Sequence, residues 1–87
     1  MTLALPEFVR QLQPLLAGWA VAPLADGWQL RQAGRGVEIR CQTLPMLQMG
    51  ALALPRVEVN ITFSGGSAEQ QAAFMDDFQR HFRRGGG

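Results

Sequence analysis

The sequence predicts an α+β fold: a two-layer sandwich whose four-stranded antiparallel meander carries an N-terminal and a C-terminal helix on one face (α-β-β-β-β-α). Three observations lead there. Val57, Val59, Ile61 and Phe63 alternate with Glu58, Asn60 and Thr62, the period of two of a strand with one covered face. Ala68, Ala72, Met75, Phe78 and Phe82 then recur at helical spacing, and Phe74 and His81 widen that apolar stripe. Upstream, short alternating runs are separated by turn residues, which is how a meander reads.

The elements follow in order. Pro6 suits the first turn of a helix, and Glu7 complements the positive end of its dipole. Phe8, Leu12, Leu15 and Leu16 fall at i, i+4, i+7 and i+8, and Gly18 can end the run. Pro14 inside it removes a backbone bond at a cost of about 3 kcal/mol, so it either kinks the helix or opens a second short turn. Trp19 to Leu24 reads as a first strand, with Pro23 suited to an edge. Asp26-Gly27 signals a hairpin turn, and Trp28 and Leu30 alternate with Gln29 and Arg31 in a second strand. After Ala33-Gly34-Arg35-Gly36, Val37, Ile39 and Cys41 face one way and Glu38, Arg40 and Gln42 the other. Val57 to Phe63 is the fourth strand. Ser64-Gly65-Gly66 ends it, and Ser67 with Gln70 forms a capping box for the last helix. Arg83 and Arg84 suit the C-terminal end of that helix, Gly85 a left-handed cap, and residues 85–87 a mobile tail.

On this reading the helices cover Trp28, Leu30, Val37, Ile39, Val57, Val59 and Ile61. Gln29, Arg31, Glu38, Arg40, Glu58, Asn60 and Thr62 form an open face.

Eighty-seven residues make one domain, spanning 1–87, near the small end of what folds alone. The charged share is 17%, low against a typical quarter, so such a domain keeps more apolar surface than one core can hide. That favours a homodimer, or docking to another protein. All 8 basic residues are arginine, as codon usage in a GC-rich genome produces, and the net charge of +1 singles out no polyanionic partner. A single cysteine excludes an intrachain disulfide and a multi-cysteine metal site. Glu7 and Arg10 interrupt the first apolar run, no secretory signal is visible, and no stretch has the ~18 apolar residues of a bilayer span. A cytoplasmic protein is the expectation.

No constellation calls for catalysis, a metal or a cofactor, and a non-enzyme is expected. Cys41 falls on an inward strand position, away from the lone histidine, His81, and reads as an inert thiol. Asp77 and His81 share a helix face and read as a surface ion pair, with no third metal ligand in sight. Asp76 and Asp77 are adjacent, so they point apart and cannot share a proton. Ser64-Gly65-Gly66-Ser67 lacks the lysine and spacing of a phosphate loop, although amides at a helix start can hold an anion.

The order of a helix, several strands and a last helix resembles that of double-stranded-RNA-binding domains. Those domains place lysines at the start of the last helix, where this chain has Ser67-Ala-Glu-Gln-Gln. The basic cluster that an RNA-binding alternative would use is Arg80, Arg83 and Arg84. A small-ligand binder is the other alternative. The terminal glycines resemble the tail of ubiquitin-like proteins and sulfur carriers, but here they follow a helix instead of a strand.

The oddest stretch is Leu44 to Leu54, with four leucines, two methionines, one glutamine and no charge. A connection of this length is normally polar. It must close its own core, pair as a further extended element, or be covered by a partner. Met46, Leu47, Met49, Leu52 and Leu54 would make a contiguous apolar patch, and thioethers adapt to varied surfaces. The segment is assigned to self-association.

Overall fold

A computed structural model describes residues 1–86, with side chains as far as Phe82. Helix α1 spans Leu5–Leu12 and passes into a 3-10 turn at Gln13–Leu16. Pro14 thus opens a second, tighter turn: it has no N–H for the Arg10 carbonyl, which accepts from the Gln13 amide instead. Strands β1 (Ala20–Leu24), β2 (Gly27–Gln32), β3 (Arg35–Met49) and β4 (Leu52–Gly65) follow, and helix α2 spans Ala68–Gly86. The strands lie side by side in chain order, each antiparallel to the next. This is the α+β meander that the alternation implies.

Several boundaries differ from the sequence reading. Trp19 precedes β1 instead of starting it, and the first hairpin loop is Ala25-Asp26, with Gly27 already paired to Arg40 in β2. Helix α2 continues past Gly85, the expected cap, and Gly87 at the end of the expected tail lies outside the described residues. The capping box forms as expected: the Ser67 amide donates to Gln70 Oε1 at 2.9 Å, and the Gln70 amide donates to Ser67 Oγ at 3.1 Å.

The core lies between the sheet and the helices. Phe8, Leu12, Leu30, Ile39, Val37 and Val57 are fully enclosed. The Phe8 ring stacks on Phe82 with centroids 4.9 Å apart and leans on Trp28 and Phe78 at 6.3 and 6.4 Å. Phe74 meets Trp19 and Phe63 edge-on, each at 5.8 Å. Phe74, Phe78 and Phe82, at i, i+4 and i+8, therefore form the covering face of α2. That rotates the helix away from the stripe read in the sequence: Ala68 and Ala72 are exposed and Met75 is half-buried. The aromatic side chains reach further into the sheet than alanine can, so they set the rotation.

Candidate interaction site: the β3–β4 arm

The Leu44–Leu54 stretch is the outer half of a hairpin, not a loop. β3 and β4 stay paired beyond the ends of β1 and β2, through Leu47↔Leu54, Gln48↔Ala53 and Met49↔Leu52. Gly50-Ala51 closes this arm. Gly50 has φ +60 and Ala51 has no positive φ, the arrangement of a II′ turn, in which glycine holds the first central position. The arm stretches the chain to 48 × 25 × 19 Å, with a radius of gyration of 14.0 Å. A compact chain of this length would have about 12 Å.

The arm has two unlike faces, and a β-bulge creates them. Leu44 pairs with Arg56 and Leu47 with Leu54, so Pro45 and Met46 together stand opposite the single Pro55. That extra residue reverses the alternation of β3 at this point. Leu44, Leu47 and Met49 consequently share one face, and Leu52 and Leu54 join them from β4. Without the bulge the leucines of the two strands would lie on opposite faces. Arg56 fixes it, its Nε donating to the Pro45 carbonyl at 3.0 Å.

Nothing on the described chain covers this face. Met46 and Met49 are each 56% exposed and Leu52 63%, while Leu47 and Leu54 are half-buried. The sequence named these five residues, and the structure brings four of them onto one face. Met46 sits in the bulge. The sequence reading left pairing as a further extended element open without choosing it; the signal for it is Gly50 between two apolar runs.

The arginine cluster fares differently. Arg80 is ion-paired with Asp76 and, at 3.3 Å, with Asp77, and the side chains of Arg83 and Arg84 lie outside the described residues. On the open face Arg40 is held by Asp26 at 2.5 Å and Glu38 at 3.1 Å. The Asp77–His81 ion pair does not form: His81 Nε2 instead donates to the Gln11 carbonyl, tying α2 to α1, and Asp77 turns to Arg80.

The turn expected at 33–36 shortens to Ala33-Gly34, since Arg35 and Gly36 already pair in β3, and it meets the end of β4 away from the arm, where Arg35 pairs with Gly65 and Gly36 with Ser64. A side chain at Gly65 would strike the Gly34 carbonyl at 2.5 Å, so close approach of the turn explains that glycine. The Arg35 guanidinium lies 4.7 Å from the Trp19 ring and donates to Gln32 at 2.9 Å.

Cys41 is half-buried, and desolvation first, with the nearby Asp26 charge second, pushes its thiol up to about 11. Such a thiol is protonated at neutral pH and is a poor nucleophile. It lines an apolar cavity of ≈ 340 Å³ at the root of the arm, with Leu5, Val9, Pro23, Trp28 and Thr43. A small-ligand alternative would use this space. Among the described residues no group of three or more His, Cys, Asp or Glu could hold a metal ion, and no helix is long and apolar enough to cross a membrane. The chain matches no protein-family model, no curated protein and no solved structure.

Proposed function

We propose that the protein is a non-enzymatic interaction module that self-associates and offers the β3–β4 arm as a contact surface for protein. One observation carries this reading: the bulge aligns Leu44, Leu47, Met49, Leu52 and Leu54 on one face of an uncharged projection, and Met49 and Leu52 are more than half exposed. A projection that only closed its own core would bury these side chains. Apolar surface of this kind, on a chain with 17% charged residues, supports coverage by protein. The ion pairs of Arg80 weigh against the RNA-binding alternative, because a guanidinium held by two carboxylates is a weak phosphate ligand.

The test replaces Leu47 and Met49 together with glutamate. The variant should keep its cooperative unfolding transition and lose the cross-links that wild type forms at the arm, mapped by mass spectrometry. A collapse of the unfolding transition would show instead that the arm is part of the core.

A further inference from the structure

Along the outer edge of β4, from Val59 to Phe63, no described residue pairs with the main chain, and the geometry points to its pairing, antiparallel and about a twofold axis, with β4 of a second copy. This rests on the self-association part of the reading above and assigns it to a surface other than the arm.

The direction of the main-chain groups follows from one contact. The Met1 amine donates to the Val57 carbonyl at 2.8 Å, and the Val57 amide donates to the Met1 carbonyl at 2.8 Å. Both polar groups of Val57 therefore point away from β3, and in a regular strand so do those of Val59, Ile61 and Phe63. The even-numbered residues Glu58, Asn60 and Thr62 make the bonds to β3. The Cys41 amide, which donates across to Asp26 at 2.7 Å, has the orientation on β3 that this alternation requires. Met1 thus acts as a one-residue strand on the β4 edge. Beyond it, no described residue bonds to the outward groups of Val59, Ile61 and Phe63.

Exposed edges elsewhere in the molecule carry the features that discourage pairing. β1 has five residues, including Pro23. The arm has Pro45 and Met46 in a bulge on one strand and Pro55 on the other. Val59 to Phe63 has no proline, no bulge and no charge pointing inward, and its residues are β-branched, aromatic or asparagine.

The occupant and the register follow from the same residues. Met1 blocks Val57, so the open window is Val59–Phe63, and its centre is Ile61. A twofold at Ile61 pairs Ile61 with its own copy and Val59 with Phe63, for roughly six main-chain hydrogen bonds. On the outer face Asn60 then meets Thr62 and Glu58 meets Ser64, so no like charges oppose one another. The helix beside this edge is prepared in the same way. Met75 and Gln79 line a cavity of ≈ 300 Å³ with Met1, Val59 and Ile61. Ala68 and Ala72 lie on the same flank by helical spacing, and both are exposed. That uncharged flank is the part of the sequence's apolar stripe that its own core leaves uncovered. A second α2 across the twofold would cover it and complete an eight-stranded sheet backed by paired helices.

Amide hydrogen exchange followed across a dilution series tests the assignment, alongside sedimentation of wild type and variants. In the dimer the amides of Val59, Ile61 and Phe63 should be protected at least about tenfold more than in the diluted monomer, while Val57 changes little. Val59→Pro removes an N–H that β3 does not use, and should weaken association at least about tenfold. Thr62→Lys, whose ammonium can meet Glu38 within its own copy, should weaken it without touching the core. It keeps the test open if the proline variant fails to fold. The Leu47→Glu/Met49→Glu variant should remain dimeric. A wild-type dimer whose three amides exchange as exposed groups, or which only the arm variant dissociates, overturns the edge assignment alone. A chain that stays monomeric at every concentration overturns it together with self-association itself.

Discussion

From Arg35 to Thr43, β3 carries its inward residues under two helices; from Leu44 to Met49 it carries leucines and methionines into solvent. Both stretches pair with β4 and both are rich in apolar side chains. The difference lies in which side of the sheet they face. The aromatic residues of α1 and α2 lie over Leu30, Val37 and Ile39, whereas the bulge turns Leu47 and Met49 to the opposite, open side, with Leu44, Leu52 and Leu54. An apolar strand pattern therefore specifies a face that wants cover, while its side of the sheet decides whether the chain's own helices can supply it. On the open side the same pattern becomes a surface for another molecule.

Truncation should cost most on the covered side of the sheet. Phe78 is 5% exposed and packs against both Phe8 and Phe82. Phe78→Ala should cost about 3–5 kcal/mol, enough to unfold much of a domain this small, as read by urea denaturation. A loss below about 1 kcal/mol would mean that the helical layer is not what holds the body together.

Between body and arm stands the bulge. Arg56→Ala removes the donor to the Pro45 carbonyl and should cost about 1 kcal/mol. Faster exchange of arm amides, with those of β2 and the inner half of β3 unchanged, would place the loss at the junction. On the arm itself, Met49→Gln and Leu52→Gln should each change stability by about 0.5 kcal/mol or less, measured on the isolated chain at low concentration. A large loss from either would make the arm part of the core.

The parts of this fold legible in the sequence are those decided locally. The alternation of Val57 to Phe63, the capping box at Ser67 and Gln70, and the proline at position 6 each set a backbone conformation by themselves, and each appears where read. Readings that depended on a distant partner drifted. The rotation of α2 was set by Phe74 meeting Trp19 and Phe63, and His81 chose the Gln11 carbonyl over Asp77. The five arm residues were legible as an uncharged apolar run. Their common face was not, because it depends on one unpaired residue opposite Pro55.

The smallest expected effect concerns Cys41, which sits where the covered part of β3 gives way to the arm. Its thiol is pushed up to about 11 by burial and by Asp26, whereas an ordinary thiol ionises near 9. Below about pH 9 the thiol is protonated in both folded and unfolded chains, and the stability linked to it is fully present. Between about 9 and 11 the unfolded chain ionises while the folded one does not, so stability falls with rising pH and levels off above 11. The size of the fall is held down by the thiol's partial exposure to water. It should nevertheless be readable, because the chain has no tyrosine and no lysine, and arginine stays charged throughout. No other side chain titrates in that window. Urea midpoints measured from pH 8.5 to 11 should decline for wild type and stay flat for Cys41→Ser, and iodoacetamide should modify the folded protein at pH 8 more slowly than the unfolded chain. Equal slopes for the two proteins would show that the junction is as wet as the arm, and that cover ends further back along β3.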